Sequence, residues 1–375
     1  MYGKRVNAMK NKINYVSWGA PGNLGDEALY KVDQAIFGKH GLELSRTSST
    51  IEEKHSQITL ISGGTCIPRI TMWMKPTKYV YIFGAGVEDP LFYGPFDPML
   101  VARLRRFDFR FIGVRGNISR ALLKSWGIAS DVIGDPCLSL EPNKVESKDN
   151  RKIALNIGAA FSGGSWGSAD RVLREVGKVC RILKKDGYKL VLIPFWTNNM
   201  SDINKLSKLA DVNIFSDWSD IHATLQLIST CGILIGEKLH SSVFSAAANT
   251  PFICLAYAPE HFDFSESVGF SKYTIRTSEV TAEKIMALLD DLMSNYKKMQ
   301  NELARKVNEY REKQMKFAAR IVSDIESLPE NKWAVQADRR ARVFWGTDVF
   351  LHRRMSNVWR AWNKFFFLHV MHHLA

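Results

Sequence analysis

Gly236-Glu237-Lys238-Leu239-His240-Ser241-Ser242 places a carboxylate, an ammonium and an imidazole side by side. The ammonium suits an anion, and an imidazole exchanges protons near neutral pH. A lone histidine is ordinarily a satisfied core residue; charged neighbours at the end of an apolar run favour chemistry. Gly22-Asn23-Leu24-Gly25-Asp26 is a second candidate. Its glycines let the backbone come close to a ligand, and a helix opening there favours an anion. Asp26 could equally cap that helix through its carboxylate. The spacing matches neither the dinucleotide fingerprint nor a Walker A loop. Arg115 closes an apolar run at Val114-Arg115-Gly116, where a guanidinium fork suits carboxylate or phosphate. Gly63-Gly64 and Gly84-Ala85-Gly86 end two further apolar runs, either as ligand-facing turns or as plain tight turns.

These turns need a common scaffold. Ile13–Trp18, Ile58–Ile61, Tyr79–Phe83 and Phe109–Val114 read as short buried strands, each followed by a glycine turn, with helices over 26–37 and 118–126. Such units build a parallel sheet covered on both faces, with ligands at the carboxyl ends of its strands. Glu141–Arg151 is polar and reads as a linker. A second series follows, with strands at Lys152–Ile157, Lys189–Pro194, Val212–Phe215, Gly232–Ile235 and Phe252–Ala256, a helix over Ala169–Lys185 and an amphipathic helix over Thr281–Tyr296. The expected fold is α/β, with two Rossmann-like doubly wound domains facing a cleft. They span residues 1–145 and 150–315, and residues 316–375 form a basic, aromatic helical extension. Sites commonly lie between such domains.

With 375 residues, 46% apolar and 24% charged, the chain can bury two cores and is not disordered. The five cysteines form no CxxC pair and read as buried small hydrophobes. No sequence spacing of His, Asp and Cys demands a metal. The net charge of +13 favours an anionic partner. Part of it lies in 331–375, which carries Trp333, Trp345, Trp359 and Trp362 among arginines. As a helix this segment suits an anionic membrane surface, or else packs across the domains or forms an oligomer contact. No nucleic-acid partner is expected. With no apolar leader or ~18-residue apolar run, the expected location is the cytoplasm, with peripheral attachment to the inner face of the plasma membrane.

In this order, Gly22–Leu29, Gly63-Gly64, Phe83–Val87, Val114-Arg115 with Ser119, Gly134-Asp135-Pro136, Lys238-Leu239-His240 and Thr250-Pro251 resemble the polysaccharide pyruvyl transferase family. The resemblance covers about residues 13–260. It implies a fold similar to the two-domain GT-B glycosyltransferases. It also implies transfer of pyruvate from phosphoenolpyruvate, with no cofactor, onto two hydroxyls of a glycan or lipid-linked saccharide, giving a ketal and phosphate. The family commonly carries arginine where this chain has Lys238, and often a lysine shortly after Tyr257, where this chain has Glu260 and His261. On this resemblance His240 is the general acid/base and Asp26 meets the acceptor. Arg115, Lys238, Leu239, Glu237, Ser241, Asn23, Gly25, Gly63 and Gly64 would line the substrates. The alternatives are a GT-B-like glycosyltransferase using a nucleotide sugar and a non-catalytic protein binding membranes or anions through its tail.

Overall fold

The computed structural model describes residues 12–328, apart from 18, 20, 47–56, 70–76, 95–100, 103, 106, 144–146 and 159–164. Segment 331–375, and with it the expected membrane-facing helix, lies outside the described residues.

The strands of the first half are β1 (Lys12–Val16), β2 (Glu43–Arg46), β3 (Ile58–Ser62), β4 (Thr65–Ile67), β5 (Tyr79–Val87), β6 (Phe109–Val114) and β7 (Asp131–Val132). They pair in parallel in the order β2-β1-β3-β5-β6-β7, with β4 on β5. Helices α1 (Leu24–Gly38), α2 (Pro90–Tyr93) and α3 (Asn117–Ser125) connect them. Every residue of β5 is buried, because helices cover a parallel sheet on both faces.

The second half repeats the plan. Strands β8 (Asp149–Asn156), β9 (Lys189–Leu192), β10 (Cys231–Gly236), β11 (Phe252–Ala256) and β12 (Thr274–Arg276) run in the order β12-β11-β10-β8-β9, again parallel. Around them lie α4 (Ala169–Lys185), α5 (Met200–Ala210), α6 (Ile221–Ser229), α7 (Leu239–Ala247), α8 (Glu260–Ser267) and α9 (Ala282–Ser294). The expected strand at Val212–Phe215 is reduced to one parallel bridge between Ile214 and Leu192. All five cysteines are free and buried. No described helix is long and apolar enough to cross a membrane.

Helix α10 (Tyr296–Ser327) begins well before residue 316, where the sequence predicts a helical extension, and so carries one continuous helix through the expected boundary at 315/316. It returns from the second half to the first. Its buried Leu303, Val307, Tyr310, Phe317 and Ile321 recur at helical spacing. Phe317 packs against Phe83 and Phe111. Arg110 grips Asp324 through two bonds of 3.0 and 2.7 Å, and the Tyr81 hydroxyl donates to the same carboxylate at 2.6 Å. Arg311 donates to the Leu138 and Leu140 carbonyls of the first half and to the Ala247 carbonyl of the second. The helix therefore straps the halves together and fixes the cleft between their carboxyl edges.

A second latch sits at α3. Its N-cap is Gly116, which has no side chain to satisfy the first amides. Asp263 of the other half supplies one. It accepts from the Ile118 and Ser119 amides at 2.9 and 3.2 Å and from the Ser119 hydroxyl at 2.6 Å. A Cβ at position 116 would overlap that carboxylate.

Candidate active site

The turn after β1 and the turn after β10 meet. Asn23 caps α1, its side chain accepting from the Gly25 amide at 3.1 Å. The cap is thus Asn23, and Asp26 is left to other work. Leu24 donates to the Phe195 carbonyl, Thr197 to the Gly22 carbonyl, and the Trp196 indole to the Pro21 carbonyl. The loop after β9 is thereby stitched to the first turn. Gly22 has φ +70°, and a Cβ there would press on Thr197. At Gly25 a Cβ would overlap the His240 ring. Glycine at 25 is what lets the imidazole lie against the first turn of α1.

The second turn is held from below. Asn156, at the end of β8, accepts from the Lys238 amide through its side chain and from the Glu237 amide through its backbone. Its own amide group donates to the Ile193 carbonyl. Glu237 is fully buried and accepts from the Gly158 amide at 2.7 Å. The Ser241 hydroxyl closes the turn on the Lys238 carbonyl at 2.6 Å. Leu239, the first residue of α7, is buried behind it. Both ring nitrogens of His261 face carbonyl oxygens, Glu237 at 2.9 Å and Ala258 at 3.1 Å, so this histidine props the turn from beneath.

Arg115 does not reach open solvent; it is fully buried. Its Nε lies 3.3 Å from Asp135 Oδ2, and Asp135 Oδ2 lies 4.0 Å from His240 Nε2. Arg115 Nε and Nη1, Asp135 Oδ2 and His240 Nε2 are all buried without a hydrogen-bond partner among the described residues. Buried polar atoms are rarely left so. Arg115, Asp135 and His240 converge where the halves meet.

Burial presses the His240 pKa well below the usual value, and the charges of Arg115 and Lys238 press it further. Asp135 is engaged by Arg115 and does not reverse this, so the imidazole is neutral at neutral pH. The Lys238 ammonium rests 4.6 Å from the centroid of the Trp196 ring. Burial lowers its pKa, opposed by the negative charges of Asp26, Glu260 and Glu237. Asp26 is buried and close enough to Lys238 for its charge to be felt there.

Gly63 and Gly64 border the Arg115 side of this cluster, where Arg115 donates to the neighbouring Thr65 hydroxyl at 3.5 Å. Gly63, at φ +61°, turns the chain where a side chain would run into Leu29, and the Gly64 carbonyl accepts from the Gly86 amide at 2.7 Å. They seat α1 on the sheet.

Asp135, Cys137 and His240 each bring a possible metal-ligand atom within 4.8 Å of the others. Sequence spacing did not reveal this, because His240 comes from the other half. The donor set fits a metal poorly. Arg115 already pairs with the Asp135 carboxylate, and burial holds the Cys137 thiol protonated.

A family model of polysaccharide pyruvyl transferases matches residues 23–259. The amylovoran biosynthesis protein AmsJ of Erwinia amylovora is 21% identical over 112 residues, 30% of this chain. That match spans 27% of AmsJ's length. Among solved structures, S. aureus MnaA in complex with UDP aligns with a TM-score of 0.55 at 12% identity, covering 84% of this chain and 95% of that one. A putative UDP-N-acetylglucosamine 2-epimerase from Listeria monocytogenes aligns with 0.55 at 13%, covering 87% and 99%. At such identities these two share the fold, a GT-B-like pair of Rossmann-like halves. The matched span contains Asn23–Asp26 of the first turn, the whole of the second turn, Arg115 and Asp135, and the chain belongs to the polysaccharide pyruvyl transferase family.

Proposed function

We propose that this chain transfers pyruvate from phosphoenolpyruvate onto two hydroxyls of a saccharide in a cell-surface polysaccharide or its lipid-linked precursor. The family is one of transferases in polysaccharide biosynthesis, and AmsJ carries the name of a biosynthesis protein. The observation that carries the reading is the buried convergence of Arg115, Asp135 and His240, with Lys238 beside it. Two cations and the first amides of α7 suit a small, highly charged anion carrying both phosphate and carboxylate.

The neutral His240 relays the proton of the first acceptor hydroxyl to the methylene carbon, which becomes the methyl group as the C2–C3 π pair forms the new C–H bond and the hydroxyl oxygen bonds to C2 of phosphoenolpyruvate. The second hydroxyl displaces phosphate from C2, its proton leaves with the phosphate, and the ring ketal closes. Asp26 orients the acceptor from the opposite turn. Arg115 and Lys238 hold the donor's charge, with Asp135 fixing the guanidinium. The donor supply places the reaction on the cytoplasmic side.

The test is phosphate release from phosphoenolpyruvate by the purified chain, with and without a panel of saccharide acceptors. Acceptor-dependent release, lost in His240→Ala, supports the proposal; no acceptor-dependent release across the panel refutes it. UDP-sugars in the same assay test the nucleotide-sugar alternative.

A further inference from the structure

Beside the turns lies a second group of side chains that the donor chemistry does not use. Phe92 and Tyr93 of α2, Trp166 and Phe262 of α8 are all partly exposed. Their rings touch in sequence: Tyr93 to Phe92 at 4.9 Å, Phe92 to Trp166 at 5.1 Å and Trp166 to Phe262 at 5.7 Å between centroids. The first two come from one half and the last two from the other. Phe92 rests on the buried Tyr257 and Ala258, just beyond β11. The Tyr257 hydroxyl senses the charges of Glu237, Arg115 and Asp26, so this shelf adjoins the converging turns.

Its polar neighbours carry both signs, and the Arg276 guanidinium lies 4.8 Å from the Trp166 ring centroid. The Tyr93 hydroxyl donates to Glu260 Oε2 at 2.9 Å, and Arg69 donates to the Tyr93 carbonyl at 3.2 Å. Arg69 also pairs with the buried Glu88 at 3.0 Å. Burial and the Glu260 charge lift Glu88 to about 7 even against Arg69. Guanidiniums and carboxylates balance here, so neither sign dominates and nothing singles out a multiply charged anion. Flat apolar rings beside a carboxylate and a guanidinium suit a neutral ring that shows C–H faces and hydroxyl edges.

We infer that Phe92, Trp166 and Phe262, with Glu260 and Arg69 at their edge, form the subsite for a neutral pyranose of the acceptor. The assignment rests on the proposed function for the word acceptor, and on the shelf's own chemistry for the sugar.

Saturation-transfer NMR on the full chain, with methyl β-galactopyranoside and methyl β-glucopyranoside and no phosphoenolpyruvate, tests it. The expected result is transfer to ring C–H protons of at least one glycoside, reduced about fivefold in Trp166→Ala, as loss of one aromatic contact implies. Phe92→Leu keeps apolar packing between the halves and guards against a folding failure; it should show the same reduction with an unchanged melting temperature. Transfer from neither glycoside, or transfer undiminished in a folded variant, overturns the assignment. Sugar binding without phosphate release would leave the shelf standing and sink pyruvyl transfer. Phosphate release unchanged in Trp166→Ala at low acceptor would do the reverse.

Discussion

The turn after β1 and the turn after β10 each end a strand at the carboxyl edge of its own sheet and open a helix, yet they are built oppositely. The first works through backbone and missing side chains. Asn23 caps the helix, Gly22 admits Thr197, and Gly25 makes room for an imidazole. The second works through side chains held from behind: Glu237 on Gly158, Lys238 over Trp196, His240 against Gly25. One half is the mould and the other the reagent. Two similar folds thus make one asymmetric site, because only one partner at the junction can keep a bulky ring.

That comparison can be broken at several points. The largest effect should come from His240→Ala, with kcat falling roughly 10²–10⁴-fold and the melting temperature little changed. An unaltered kcat removes His240 from the chemistry. Gly25→Ala should cost about 1–3 kcal/mol in a denaturant melt, the usual penalty for overpacking. In a His240→Ala background the same change should be nearly neutral. If the two costs simply add, the turns do not touch as described.

Next comes a pH effect on the mould side. Asp33 of α1 is fully buried, receives the Tyr15 hydroxyl at 2.9 Å and is raised to about 8 by burial. Its pKa in the unfolded chain is about 3.9. A carboxyl raised on folding adds stability that is complete below the unfolded value and is lost as pH rises through the folded one. Asp33→Asn should therefore gain stability relative to the natural chain as pH rises from about 4 to about 8. Thermal melts across that range check it, and a constant difference would show that Asp33 is not so shifted. The smallest effect should be that of Asn23→Ala, about 1 kcal/mol, typical of a lost N-cap; a change within error in the denaturant midpoint would mean the cap is idle.

Much of this site was legible in the sequence because its parts end apolar strands. Gly22–Asp26, Arg115 and Glu237–His240 all follow runs that a parallel sheet must bury, which puts the first two on the carboxyl edge of one sheet and the third on that of the other. What stayed hidden depends on contacts between distant segments. Asp135 stood in a recognisable Gly-Asp-Pro stretch, but nothing local shows that it lies between Arg115 and His240. Asp263 looks like an ordinary helical acid, yet it caps α3 of the other half. The family departures Glu260 and His261 have structural work here: one receives the Tyr93 hydroxyl, the other props the Glu237 carbonyl. The part of helix α10 ahead of residue 316 escaped notice because its apolar positions are spread among lysines and glutamates and interrupted by Gln314. That glutamine is buried by donating to the Ile133 and Asp135 carbonyls.

The division of labour between the turns is tested most directly by calorimetric titration of phosphoenolpyruvate into the natural chain, Lys238→Met and Asp26→Asn. Loss of a charge-assisted contact at Lys238 should weaken binding about 10- to 100-fold. Asp26→Asn, on the acceptor side, should leave the affinity within about threefold or tighten it, since a nearby negative charge is removed. Equal weakening by both substitutions, or no effect of Lys238→Met, would contradict the placement of the donor at the turn after β10.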